Sequence, residues 1–349
     1  KNHPHSFSSP AAARMASDPA PILGLSEDLT SEILSFAGPR CTAVCASACR
    51  QLRTVSEDSR ALWRRFVRQD FRLTDPNADF ADWRAVYAYL TLQMREVPSF
   101  RSLWQKKSIL RTAGNQFSLT DEARVVFSDD GSPYRGYEPE NALLRNGRAW
   151  CTSHGVKENV DLVVELPGVC LITGFLAANG GRHFSAPLKE ALVFTSMDPP
   201  DLEGARRLNG EAGRAHLERM ERGEVGAETD GESSSPVASF LFSEFPVCMS
   251  EQLVRKSSPP TVGRYIHFKL LSSHHPTDRF STNIDVQDLH AYGIRLPDLP
   301  ELLRRPAMNS NRPDPSYQRI HKLRAQRPLA EDIWLDDSDD DDSDDGSLW

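Results

Sequence analysis

Three polar stretches in the second half of the chain gather side chains able to bind a ligand or carry a proton. Asn179-Gly180-Gly181-Arg182-His183 offers amide, guanidinium and imidazole groups in succession, His274, His275, Asp278 and Arg279 repeat that mixture, and Trp150 stands beside Ser153 and His154. Polar loop residues next to an aromatic ring suit recognition of a glycan or a peptide. A metal site is not expected: strand alternation does not bring His267, His274, His275, Asp278 and Asp285 to one point, and no metal-ligand spacing of His and Cys occurs. No Gly-x-Ser-x-Gly elbow places a serine on a strained turn, and Gly180-Gly181 precedes no helix that could cradle a phosphate. The residues therefore predict a binding protein without catalytic groups, metal or cofactor.

The 349 residues are enough for two or three packed domains, but 20 Gly and 24 Pro argue against one compact globule. The net charge of -8 comes from the end of the chain, because residues 331–349 hold ten carboxylates and no Lys or Arg. Residues 1–330 carry 41 basic against 39 acidic side chains, which gives no general reason to bind nucleic acid. No apolar run is long enough for a membrane span. The six cysteines, Cys41, Cys45, Cys49, Cys151, Cys170 and Cys248, form no Cys-x-x-Cys pair, and the chain shows no signal peptide. Reduced thiols in an intracellular compartment, cytoplasm or nucleus, are the expectation. Met15-Ala16-Ser17 reads as a natural start, which would make residues 1–14 upstream sequence.

The elements that would position these groups divide into a helical part and a strand part. Residues 1–21 are rich in Pro, Ala and Ser and are expected to be disordered. Leu25, Leu29, Ile33 and Phe36 recur at helical spacing after Ser26, a suitable N-cap, and Gly38-Pro39 ends that helix. A second helix is predicted over about Cys41 to Leu52. A third, over about Ser59 to Val67, is capped by Asp58 or Ser56 and carries Leu62, Trp63 and Phe66; a fourth covers Phe80 to Met94. Beyond Trp104 the period falls to two. Asp161–Leu166, Val169–Leu176, Ala191–Thr195, Ser239–Phe242, Arg264–Leu271 and Ile284–Ile294 read as strands separated by Gly, Pro and Ser. The predicted fold class is α+β: three short helices and a linker helix, then an antiparallel β-sandwich. It divides as 22–70, a linker 71–110, a sandwich 111–297 with a disordered insertion 198–236, and a disordered tail 298–349.

Three helices within some fifty residues carry more apolar positions than one tiny core can use, so part of that surface should belong to a partner. Leu25-Ser26-Glu27-Asp28-Leu29, Ile33-Leu34-Ser35-Phe36, Cys49-Arg50-Gln51-Leu52 and Asp58-Ser59-Arg60-Ala61-Leu62-Trp63 resemble an F-box in order and spacing. Ser26 stands where that family usually has proline, and Ala48 where it usually has valine. The resemblance implies docking on a Skp-type adaptor, and through it a cullin, within a Skp/cullin/F-box ubiquitin ligase. Leu25, Leu29, Ile33, Leu34, Phe36, Leu52, Leu62 and Trp63 would then meet the adaptor, and the chain itself would catalyse nothing. The alternative is a helical lid that packs its apolar stripe on its own sandwich.

The strand region resembles the discoidin-like, galactose-binding-like jelly roll of the Doc subunit of the anaphase-promoting complex. The resemblance lies in Asn141-Ala142-Leu143, Trp150 to Ser153 leading into Asp161–Leu166, Arg264–Leu271, Asn283 to Val286 and Tyr292-Gly293. Together the two parts are similar to a group of plant F-box proteins. Such a receptor would present an unidentified protein target, with or without a glycan, through Trp150, Ser153, His154, Asn179, Arg182, His183, His274, His275 and Arg279; a lectin-like binder without a ligase role is the alternative. Residues 302–327 hold seven Lys or Arg against one Asp and precede an Asp-rich run in which Ser338 and Ser343 suit an acidophilic kinase.

Overall fold

The computed structural model describes residues 26–48, 50–73, 81–97, 117–130, 135–144, 147–179, 184–224, 235–243, 252–274 and 283–304. The expectations for residues 1–21, for Leu25 and for the Asp-rich run with Ser338 and Ser343 lie outside these residues. The chain is α+β, with helices first and an antiparallel sandwich after them.

Helix α1 (Glu27–Ala48) is two helices joined at a kink, where Gly38 takes φ 79 and Pro39 withholds a backbone donor. Thr42 Oγ1 donates to the Gly38 carbonyl at 2.9 Å and reaches the Leu34 carbonyl at 3.2 Å, which ties the two halves together. Helices α2 (Arg50–Asp58), α3 (Arg60–Phe71) and α4 (Trp83–Met94) follow. The cap of α3 is Ser59, not Asp58 or Ser56: its hydroxyl accepts the Leu62 N–H. Asp82 does the same for α4 through Ala85.

The sandwich is built on two long strands that run through both layers, β3 (Glu158–Ala178) and β6 (Gln252–Ser273). In one layer the first half of β3 lies between β1 (Arg124–Ser128) and the second half of β6, and β4 (Leu188–Ser196) and β5 (Ala238–Leu241) extend the sheet beyond β6. The register shifts between Glu165 and Cys170. Beyond that shift the second half of β3 lies between the first half of β6 and β8 (Asp288–Arg295). A short ribbon pairs β2 (Trp150–Cys151) with β7 (Asp285–Val286). Alternation sends Val160, Leu162 and Val164 into the core with Phe175, Phe240 and Phe268.

The helical part shares a core with the sandwich. Val67, Phe71, Trp83, Val86 and Leu90 of α3 and α4 pack with Leu171 and Val262 of the long strands and with Leu299 and Leu303. The last two lie in one helix, one of three in the C-terminal half that differ from expectation. Residues 198–236 contain α5 (Leu202–Arg206) and α6 (Gly210–Glu221), and residues 298–349 begin with α7 (Leu299–Arg304). The reason is non-local: Leu217 of α6 is buried against Leu192, Phe194 and Leu271 on the outer face of the sheet. The approach is close enough that a Cβ on Gly213 would stand 2.8 Å from Leu271 Cδ2 of the sheet.

Leu171 is fully buried in the shared core. Leu171→Ala is expected to lower stability by about 2–5 kcal/mol. Urea unfolding followed by helix signal and by tryptophan fluorescence should shift as one transition. A helix transition that stays at its wild-type midpoint would show that the two parts do not share a core.

Candidate functional site

Two surfaces and one buried cluster hold the side chains with chemistry. The first surface lies on α1. Its inner residue Leu34 meets Val55, Leu62 and Phe66 in a small core, with Trp63, Cys45 and Tyr87 partly buried around it. Trp63 donates its indole N–H to the Ser56 carbonyl and packs on Phe66 and Tyr87 with ring centroids 5.5 Å apart in each case. The outer residues are left uncovered: Leu29 is 48 % exposed, Ile33 39 %, Phe36 76 % and Val44 67 %. Of the residues expected to meet an adaptor, Leu29, Ile33 and Phe36 therefore face water. Leu34, Leu52 and Leu62 do not; they are buried, because α1, α2 and α3 need an apolar seam of their own. Val44 joins the exposed set, and its side was ambiguous in sequence because Cys45 next to it fits a helical stripe equally well. α3 and α4 pack on the sandwich, as the lid alternative expected, while Leu29, Ile33 and Phe36 of α1 do not.

The second surface is one end of the sandwich, organised by Asp285. Its carboxylate accepts the Ala186 N–H at 2.9 Å and the Asn283 amide at 2.5 Å. The Cys151 thiol also faces it, and burial, followed by that contact, pushes this thiol far up. Thr152 Oγ1 accepts the Ile284 N–H and donates to the Val156 carbonyl, both at 2.7 Å, and the Ser153 N–H and hydroxyl both bind the Asp130 carboxylate. The His274 N–H donates to the Pro187 carbonyl at 2.8 Å, and the Gln287 N–H to the Ala178 carbonyl at 3.0 Å. Residues 151–156, 178, 186–187, 274 and 283–287 are thereby tied together at one end. Ser153 and His274 are partly exposed and His154 is exposed, but Trp150 and Asn179 are fully buried and cannot present a ring or an amide to a target. Trp150 is buried because its position in β2 points into the sandwich core. Arg182, His183, His275 and Arg279 lie outside the described residues.

The buried cluster was not legible in sequence. Asp161 of β3 accepts from His267 Nε2 at 2.8 Å and from Lys269 Nζ at 3.0 Å, and all three side chains are at most 2 % exposed. Phe194 stacks on His267 with centroids 5.1 Å apart. The Asp161 N–H donates to Asp129, whose carboxyl is raised by burial and by the neighbouring Asp161 charge. Burial pushes Asp161 up as well, but the hydrogen bonds and charges of His267 and Lys269 outweigh it and hold the carboxyl below its usual range. The cluster has no access to solvent, which suits a structural part better than a catalytic one. Among the described residues no three His, Cys, Asp or Glu side chains come together in a way that could hold a metal ion. No described helix is long and apolar enough to cross a membrane.

No family model matches the chain, and no curated protein matches it. Solved structures are similar to the sandwich half. A CBM32-3 domain from a family 31 glycoside hydrolase of Clostridium perfringens is 14% identical, covering 52% of this chain and 98% of its own, at a TM-score of 0.33. A putative chitobiase fragment from Bacteroides thetaiotaomicron is 15% identical, covering 53% and 98%, at 0.36. The family 32 CBM of C. perfringens NanJ in complex with galactose is 10% identical, covering 50% and 98%, at 0.32. These chains are alike in shape over half of this one; the sandwich itself is defined by its strand order and register.

The depressed carboxyl of Asp161 gives a pH dependence with a definite sign. Its folded value lies below its unfolded one, so ionised Asp161 adds stability that is fully present above about pH 4 and is lost as pH falls through the folded value. Asp161→Asn should flatten that acid limb. It should also cost about 3–5 kcal/mol at pH 7, because Lys269 keeps a buried charge without its counter-ion. Urea midpoints measured from neutral pH to about pH 3 check both; an acid limb unchanged in the variant would place that titration elsewhere.

Proposed function

We propose that this chain is a non-catalytic recognition protein, a substrate-receptor subunit of a Skp/cullin/F-box ubiquitin ligase acting inside the cell. Its helical part docks on a Skp-type adaptor and its sandwich holds the target. The observation that supports this reading is the uncovered apolar side of α1, where Leu29, Ile33, Phe36 and Val44 face water although the chain has buried Leu34 and Leu62 beside them. Fully burying one exposed side chain of this kind is worth roughly 1.5–3 kcal/mol, and these four, 39–76 % exposed, each supply part of that to an interface. The reading rests on that face and on the sequence pattern of the helices. The receptor's contribution is proximity: the target is held close to a charged conjugating enzyme, and its effective concentration rises without any acid, base or nucleophile from this chain.

A second reading concerns the sandwich alone. The segments that Asp285 and Asp130 hold together at one end form a rim suited to a sugar, and a lectin-like protein would bind carbohydrate there with no ligase role. Ser153, His154 and His274 are the described members of the expected target-binding set that lie there with their side chains at least partly exposed.

Leu29→Asp and Phe36→Asp are each expected to reduce capture of a recombinant Skp-type adaptor by the full chain at least tenfold, with unchanged circular dichroism. Equal capture by wild type and both variants would sink the ligase reading. A glycan array probed with the full chain separates the two proposals, since sugar binding without adaptor binding supports the lectin and adaptor binding without sugar supports the receptor.

A further inference from the structure

Helix α6 lies on the outer face of the larger sheet, and its grip there is mostly polar. Leu217 is the one buried apolar side chain it contributes, packed with Leu192 and Phe194 of β4 and Leu271 of β6, while Leu208 and Met220 only border that cluster. Two of its twelve positions are glycines, Gly210 and Gly213, which weaken a short helix further. The other ties are hydrogen bonds and ion pairs. Asn159 Oδ1 accepts the Gly210 N–H at 2.7 Å, Arg214 reaches Glu190 at 3.4 Å and Glu158 at 3.5 Å, and Glu221 accepts from Ser239 Oγ at 2.8 Å and from Arg255 at 2.9 Å. Arg214, Glu158, Arg255 and Glu221 are partly exposed, so water competes for these pairs.

What α6 covers is costly to keep dry. The pairing of β4 with β6 sets Lys269 beside Leu192 and His267 beside Phe194, and the pairing of β3 with β6 sets Asp161 beside Lys269 on the same face. A carboxylate, an ammonium and an imidazole are thus withheld from water under one helix. The helix adds a polar atom of its own, because His216 Nε2 is buried with no hydrogen-bond partner among the described residues. Hydration returns part of these costs when water is admitted. One leucine therefore favours the covered arrangement while several polar groups favour its opening. The strands beneath are held differently: β3 and β6 are each paired on both sides.

We propose that α6 is a detachable strap: it lifts from the sheet while the sandwich stays folded, and its lifting uncovers an apolar strip formed by Leu192, Phe194 and Leu271. Local openings of this kind occur where an element has few buried apolar contacts and its neighbours have many. The covered strip is flanked by Glu190 and Arg255, which lose their partners Arg214 and Glu221 when the strap leaves. The open form thus presents a surface with greasy residues between a carboxylate and a guanidinium. This device involves no residue of the exposed α1 face and stands whether or not that face docks on an adaptor.

Amide hydrogen exchange on the full chain tests it. In the wild type the amides of residues 214–221 should exchange at least about a hundredfold faster than those of residues 160–164 and 266–270. Leu171→Ala, in the core shared with α3 and α4, should speed exchange in the strands at least about tenfold and leave α6 within about twofold of wild type, because strand exchange needs global unfolding and strap exchange does not. Leu217→Asp should leave α6 unprotected, keep the strands protected and the near-ultraviolet circular dichroism intact, and bind the apolar dye anilinonaphthalene sulfonate, which the wild type should not. A common rate for α6 and the strands that rises as one in Leu171→Ala overturns the proposal. So does loss of strand protection in Leu217→Asp, which would make α6 an integral part of the sandwich; this second variant decides alone if Leu171→Ala does not fold. Strand protection in Leu217→Asp without dye binding overturns the uncovered strip.

Discussion

The seam between the helices and the sandwich decides what the rest of the molecule can do. Val67, Phe71, Trp83, Val86 and Leu90 are buried against Leu171 and Val262 of the two long strands, with Leu299 and Leu303 closing the seam from the C-terminal side. Once α3 and α4 are committed there, α1 and α2 can bury only the residues that reach α3, namely Leu34 and Val55 against Leu62 and Phe66. Leu29, Ile33, Phe36 and Val44 are left facing water. Their exposure goes with where the neighbouring helices are anchored, and it concentrates apolar surface on one helix.

A different physics operates on the outer face of the larger sheet. Asp161, His267 and Lys269 place charge beneath a helical insertion that contributes Leu217 and a set of ion pairs, including Arg214 to Glu190 at 3.4 Å and Arg255 to Glu221 at 2.9 Å. A buried pair of this kind adds little net stability compared with well-packed apolar residues, but removing one partner is costly. Its effect is specificity: Asp161 and Lys269 are opposite one another in the pairing of β3 with β6, and a slipped register would separate the charges inside a dry layer.

Much of this architecture can be read from the sequence. The helical spacing of Leu29, Ile33 and Phe36, the stop at Gly38-Pro39 and the change to a period of two beyond Trp104 each correspond to an observed element. What could not be read depends on contacts distant in sequence. The insertion has too few apolar residues to form helices alone, and α6 is held by Leu192, Phe194 and Leu271 from strands far away in the chain. The α1 helix is apolar on more than one side, so its spacing could not say that Leu34 turns inward and Ile33 outward. At the loop end the aromatic and amide groups looked available in sequence, but Trp150 and Asn179 are consumed by packing. Asp161 and Lys269 are separated by 108 positions, and only the pairing of two strands brings them together.

Because β3 and β6 each pass through both layers, their lengths are a shared ruler for the whole sandwich. Losing one codon from the interior of either strand would invert every following side chain, turning greasy positions outward in one layer and moving the carboxylate or ammonium of the buried pair to the wrong side. Within the paired stretches of β3 and β6 a change of length is therefore costly, whereas the register shifts between Glu165 and Cys170 and between Ile172 and Gly174 are where the pairing already takes up extra residues.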